Sequence, residues 1–276
     1  MRLLALTDFS DAARHAVEYA CMVAHHQKGL VSLFHVYQLP VIDVEMPSEV
    51  YQAAIESART EVQTALEELQ AGLAKQYPEA TIELDYAMGF TVEETARKAR
   101  AMKPDYVVAG ARGQSSVWET LLGGTVRDLI DRIEWPMWVV PAKAPLQMPA
   151  RTAYASSLDN DTLFPLGDFA RLSDRLSAAA AYVHIHHTEK SHPLHDRYVS
   201  TLQWALARWG VNAQYHEIPA ADMKRVNEQF SAYIAETDIH LIGIRHQHKG
   251  IFDILFQKSF TYQLLHHISI PLIVYS

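Results

Sequence analysis

The chain has 276 residues, 49% hydrophobic and 20% charged, with a formal net charge of −8. That length exceeds a typical single core and fits two domains, while the acid excess argues against nucleic acid or an anionic membrane as the main partner. No run approaches the roughly 18 apolar residues of a membrane helix, no signal-peptide core opens the chain, and one cysteine, Cys21, excludes an internal disulfide framework, so a cytoplasmic protein is expected.

In chain order, LLALT is a short apolar strand that runs into Asp8. Ser10 or Asp11 then caps a helix whose apolar positions Ala13, Val17, Ala20, Cys21 and Ala24 have helical spacing and stop before Gly29. LVSLFHVY, residues 30–37, reads as a second strand. A polar loop with Pro40 and Pro47 leads into a long amphipathic helix over about residues 48–76, dense in Ala, Glu, Gln and Leu. TIELDYAM is a third strand, and TVEETARKARAM a third helix opened by Thr91 and Glu94 as a capping box. DYVVAG is a fourth strand. GARGQSSVWETLLGGT follows it, then a helix from about Thr125 to Arg132, then PMWVVP as a fifth strand. Strands alternating with helices predict a doubly wound, five-stranded parallel α/β sheet of the Rossmann-like kind.

PAKAPLQMPA, residues 141–150, interrupts all periodicity with three prolines and reads as a linker. Beyond it the plan repeats. IPLIVY matches WPMWVV at an offset of 135 residues, YVHIHH resembles LFHVYQ at an offset of 149, and HLIGI matches DYVVA. The first strand of this half is TAYAS, followed by a helix over about residues 163–180. The change of offset places a loss of about fourteen residues mostly in the loop and long helix. Two tandem divergent copies of one domain are therefore expected, over residues 1–143 and 151–276. Their charge differs: thirteen Lys and Arg against twenty Asp and Glu through Pro145, eleven against twelve after it. Eleven of the fifteen histidines fall in the second half.

The chemistry concentrates at GARGQSSVWETLLGGT, which holds four of the chain's eleven glycines: Gly110, Gly113, Gly123 and Gly124. It follows a buried strand and precedes a helix start. In doubly wound sheets, ligands bind beyond the carboxyl ends of the strands. A helix start offers unpaired N–H groups and partial positive charge, and glycine lets backbone approach phosphate oxygens closely. Thr125 adds a hydroxyl donor and Arg112 a cation within reach of phosphate. Neither GxGxxG after the first strand nor GxxxxGK[ST] occurs.

The G-x2-G-x9-G spacing closely resembles the universal stress protein family, in which this loop holds the phosphates of ATP. ALTDFSDAARHAVEYA, LFHVY and WPMWVVP are similar to that family's opening strand and helix, second strand and closing strand. The resemblance covers residues 1–143 and, weakly, 151–276, and so implies a tandem universal stress protein. It implies an adenine nucleotide as ligand, ATP, ADP or AMP, with Asp8 beside the nucleoside and the Val36 backbone at adenine. Gly110, Gly113 and Gly123 match the motif glycines. Gly124 stands where the family has Ser or Thr, and Thr125 comes one position late. Gly89, after the third strand, borders the same crevice, and Asp8 is placed to position Mg²⁺ or a water. Family members pair through the fifth strand, so PMWVVP and IPLIVY are expected to make an intrachain pseudo-dimer, with a homodimer the other possibility.

In the second half the motif becomes RHQHKGIFDILFQKS, with Arg245, His248 and Lys258 in place of the glycines, Ser259 at the hydroxyl position and Ser157 in place of Asp8. This half is not expected to bind ATP in the family manner. His186, His187, His246, His248 and Asp159 suggest a zinc cluster, but no segment has a zinc spacing, and hydrogen-bonded or solvated histidines are the simpler reading, as for His266 and His267 near a helix end. No nucleophile–base–orienter set stands out. A nucleotide-binding stress or regulatory protein leads, with a slow ATPase and a nucleotide-free interaction module, its second half holding a metal or other ligand, as alternatives.

Overall fold

A computed structural model describes residues 1–38, 47–111, 124–156, 163–187, 195–208, 213–220, 223–246 and 269–275. In the first half these form β1 (Arg2–Leu6), α1 (Asp11–Gln27), β2 (Leu30–Tyr37), α2 (Ser48–Gln76), β3 (Thr81–Met88), α3 (Thr91–Met102), β4 (Tyr106–Gly110), α4 (Gly124–Arg132) and β5 (Met137–Val140). The second half supplies β6 (Arg151–Ser156), α5 (Leu163–Arg175), β7 (Ala179–His187), α6 (His195–Arg208), β8 (Ala213–Ala220), α7 (Met223–Thr237), β9 (Leu241–Arg245) and β10 (Leu272–Tyr275). No described helix is long and apolar enough to cross a membrane.

The strands make one ten-stranded sheet in the order β3-β2-β1-β4-β5-β10-β9-β6-β7-β8. The halves meet at β5 and β10, where PMWVVP and IPLIVY were expected to pair, so the two five-stranded sets form one continuous sheet. The fold is an α/β Rossmann-like one with a parallel-dominated sheet, in which every strand pairing is parallel except β5 with β10. There Val139, Trp138 and Met137 face Leu272, Ile273 and Val274. The pairing removes two exposed strand edges of buried apolar residues, which would otherwise template association.

Helices cover both faces. On one, α1, α2, α5 and α6 contribute Val17, Leu66, Phe169 and Leu206 to a core with Leu33, Trp138 and Tyr182. On the other, α3, α4 and α7 contribute Ala99, Leu129 and Phe230 to a core with Leu4, Val107 and Ile242. A single register row crosses the middle of the sheet through Ala5, Val108, Trp138, Ile273, Gly243 and Tyr154. Bulk alternates along it. A Cβ on Gly243 would sit 2.5 Å from the Phe169 ring and 2.8 Å from the Tyr154 ring, so this glycine makes room for two aromatics. Tyr182 and Tyr215 extend the row, with neighbouring rings stacked at 6.2 Å and 5.9 Å.

Most elements follow their local signals. Ser10 is the N-cap of α1, accepting from the Ala13 N–H at 3.2 Å. All five apolar positions expected on α1 are buried. Burial, with Glu18 beside it, pushes the Cys21 thiol up to about 12, which marks a packing residue rather than a reactive one. The long helix α2 has 29 residues and its positional counterpart α6 has 14, where the shortened second half was expected to lose chain.

Two expectations fail. Thr91 does not cap α3: Phe90, extended at φ −88° and ψ 132°, occupies the N-cap with no side-chain bond, and Glu94 pairs with Arg97 instead. The helix over 163–180 ends at Arg175, because Ser177 turns left-handed at φ 56° and the Ala178 N–H closes back on the Ser173 carbonyl. The alanine run that favours helix locally joins β7 beside β6, so tertiary pairing overrides propensity. The linker is pinned: its Ala144 is buried and its carbonyl takes a 2.8 Å bond from His15.

Candidate functional site

The turn between β1 and α1 is held from several sides. Thr7 donates its N–H to the Phe34 carbonyl at 3.0 Å, and the Thr7 carbonyl accepts from His35 Nδ1 at 2.7 Å. A carbonyl only accepts, so the His35 proton sits on Nδ1. Burial holds the His35 pKa below its ordinary value despite that bond and the nearby Asp8 charge. Phe9 adopts φ 62°, unusual for a residue with a Cβ, and its N–H is held by Thr7 Oγ1 at 3.0 Å. This left-handed residue turns the chain sharply, leaving Asp8 half-buried at the strand end. Asp8 Oδ1 accepts from both the N–H (3.0 Å) and the Oγ (2.6 Å) of Ser10.

Past this turn β2 outruns β1. Their pairing ends at Leu6 with Phe34, and β2 continues beside β3 to Tyr37. Phe34 uses its carbonyl toward β1, and Tyr37 uses its own toward Gly89 after β3. Strand alternation therefore points the N–H and C=O of Val36 to the side where β1 has already ended. One residue offers a donor and an acceptor side by side.

A cleft of about 120 Å³ opens there, bounded by Asp8, Val36, Gly110 and Thr125. Phe34, Leu6, Ala109 and Leu129 give it apolar walls, and Thr7, Thr91 and Thr95 add hydroxyl-bearing side chains. Three helices start nearby, and they differ. The α1 start is already served by the Ser10 cap and carries Asp11 in its first turn, α3 opens at Thr91 and carries Glu93 and Glu94 in its own, and the first turn of α4 has no acidic residue. The α4 terminus is the best placed to meet an anion.

The structure thus gathers four of the nine expected binding residues around one cleft. Arg112, Gly113 and Gly123 lie outside the described residues. Gly124 begins α4, exposed, with open space around a Cβ built on it. Gly89 does not line the cleft: at φ 150° it turns the chain after β3, and its N–H bonds the Tyr37 carbonyl at 3.0 Å. Gly110 has a reason of its own. A Cβ there would meet the Ala12 carbonyl oxygen at 2.6 Å, so glycine lets α1 pack directly on β4. Thr95, Thr91 and Phe34 were not anticipated as lining residues. For Thr95 the signal was a hydroxyl in the buried stripe Thr95, Ala99, Met102 of α3.

In the second half Arg245 ends β9 opposite Tyr275, as Gly110 ends β4 opposite Val140. The His246 side chain is buried, its Nε2 is 3.0 Å from Asp131 of α4, and the His246 backbone N–H donates to the Tyr275 carbonyl. Among the described residues no three His, Cys, Asp or Glu side chains group to hold a metal ion; Asp159, His248, His266, His267, Lys258, Ser259 and Ser157 lie outside them. His184 repeats the geometry of His35, its Nδ1 lying 3.3 Å from the Ser156 carbonyl at the end of β6.

A parallel-dominated Rossmann-like sheet with a cleft at the carboxyl ends of β1, β2 and β4 defines the class. The universal stress protein family model matches residues 1–141, and the chain belongs to that family. Among solved structures, a universal stress protein from Archaeoglobus fulgidus DSM 4304 is similar over 100% of this chain and 98% of that one, at 14% identity and TM-score 0.74. A putative universal stress protein from Pseudomonas aeruginosa UCBPP-PA14 is similar over 99% and 92%, at 11% identity and TM-score 0.62. A universal stress protein in complex with cAMP is matched over 51% of this chain and 96% of that one, at 22% identity and TM-score 0.39. No curated protein is matched by the sequence.

Proposed function

We propose that residues 1–143 bind an adenine nucleotide, ATP, ADP or AMP, in the cleft between β1, β2 and β4, and that the protein acts as a nucleotide-dependent regulatory module in stress response. Residues 151–276 are a second, degenerate copy of the same domain without nucleotide, the two joined through β5 and β10 as a pseudo-dimer within one chain. The strand order supports the repeat, since each half reads third, second, first, fourth, fifth from its outer edge inward to the β5–β10 seam.

The observation that carries the nucleotide reading is the convergence of Asp8, the Val36 backbone, Gly110 and Thr125 on one cleft with an apolar interior. The flat base fits against Phe34, Leu6 and Leu129, with its hydrogen-bonding edge toward Val36. Asp8 accepts from a ribose hydroxyl, and the phosphates lie toward the α4 start and the Gly110–Thr125 segment. Asp8 is the one carboxylate lining the cleft among the described residues, so the donor set suits Mg²⁺ carried in by phosphates rather than held by protein alone. Such an ion would neutralise phosphate charge, with Asp8 its protein partner.

The nucleotide-free module remains the second reading because Gly110 already has a packing reason. Denaturing the purified protein and identifying what it releases separates them: adenine nucleotide supports the first reading, and none, with no ATP binding on addition, supports the second.

A further inference from the structure

We propose that Thr95 reads the nucleobase, its hydroxyl supplying a hydrogen bond to the ring beside the Val36 backbone; this rests on the nucleotide reading above. Thr95 is fully buried on α3, in line with Ala99 and Met102, a stripe whose other members are apolar. It also borders the cleft. A helical threonine ordinarily satisfies its hydroxyl on a carbonyl three or four residues earlier. Thr95 Oγ1 instead has no hydrogen-bond partner among the described residues.

A buried hydroxyl with no partner destabilises the protein, and valine of the same shape would avoid the cost. The position gains from threonine only when something polar enters the cleft. Thr95 lines the cleft together with Phe34 and Val36, and α3 packs on β2, the strand that carries both, where the proposed pose puts the base. The group that meets it there is the ring of the ligand, not its phosphates. A hydroxyl both donates and accepts, so it serves either a ring nitrogen or an exocyclic amine.

The test compares Thr95→Val and Thr95→Ser with the wild type by calorimetric titration of the full-length protein with ATP, and with inorganic triphosphate as a base-free probe. The proposal expects Thr95→Val to weaken ATP about tenfold, Thr95→Ser to stay near wild type, and triphosphate affinity to be unchanged in both. It also expects Thr95→Val to melt no lower than the wild type without ligand. Equal ATP affinity in wild type and Thr95→Val overturns the role of Thr95 alone, as does a loss shared equally by ATP and triphosphate. A wild type that binds no ATP overturns the nucleotide reading and this assignment with it.

Discussion

Tyr106 of β4 donates its hydroxyl to Asp168 Oδ2 of α5 at 2.8 Å, a bond between the two halves of the chain. Tyr275 of β10 donates to the same oxygen at 3.0 Å, so one carboxylate ties the first half's β4 to the second half's β10. Both tyrosines are buried. Burial first, then neighbouring negative charge including Asp168, raises both hydroxyls well above their ordinary pKa.

Removing the acceptor strands two buried donors. Asp168→Ala is expected to destabilise the protein by about 3 kcal/mol, read from urea unfolding. The pH sign follows from the raised pKa values. Folded-state hydroxyls keep their protons above the unfolded value of about 10, so this stability is complete below about pH 10 and is lost as pH rises further. A wild-type unfolding midpoint that holds constant up to about pH 11 contradicts the assignment.

The two glycines flanking residues 111–123 are expected to respond in opposite ways. Gly110→Ala drives a Cβ into the Ala12 carbonyl, which is backbone and cannot swing aside. It is expected to cost about 3 kcal/mol or more, comparable to overpacking a core. Gly124→Ala meets open space at a helix start. It is expected to be neutral or stabilising by up to about 1 kcal/mol. Thermal melts of the pair decide it; similar losses at both positions contradict this packing account. On the nucleotide reading, Gly124→Ser adds a hydroxyl at the α4 start and tightens ATP.

His35 gives an acid-side prediction. Its folded pKa is depressed by burial, so the stability it contributes is present above the unfolded value of about 6.5 and is lost as pH falls. His35→Asn keeps a donor for the Thr7 carbonyl but does not titrate. It is expected to lose less stability than wild type between about pH 7.5 and 5.5. Equal losses in the two proteins over that interval tell against a buried neutral imidazole.

The element order was legible because each strand and helix carries its own periodicity: TIELDYAM and TVEETARKARAM form β3 and α3 at the expected residues. Legibility ended where tertiary partners decide. The alanines after Ser177 become strand only because β6 lies beside them. The continuity of the sheet depends on Trp138 meeting Ile273, residues 135 positions apart, a pairing expected from the resemblance of PMWVVP and IPLIVY to the family's fifth strand and not from any local pattern. At the cleft, Thr125 was readable from its place at a helix start, whereas Asp8 and Val36 were named from the family resemblance. Gly110 was read as a ligand residue, and its contact with Ala12 was invisible because it needs the packing of α1 on β4. His35 and His184 were visible as matching letters in LFHVY and YVHIHH, but their shared bond to the end of the adjacent strand emerges only in three dimensions.

The central claim is that this cleft holds an adenine nucleotide. Its most direct test is ATP binding by the purified wild type against Gly113→Lys, with released nucleotide identified after denaturation. The account predicts an adenine nucleotide from the wild type and markedly weaker ATP binding by the variant. Equally poor binding by both, with no nucleotide released, would contradict it.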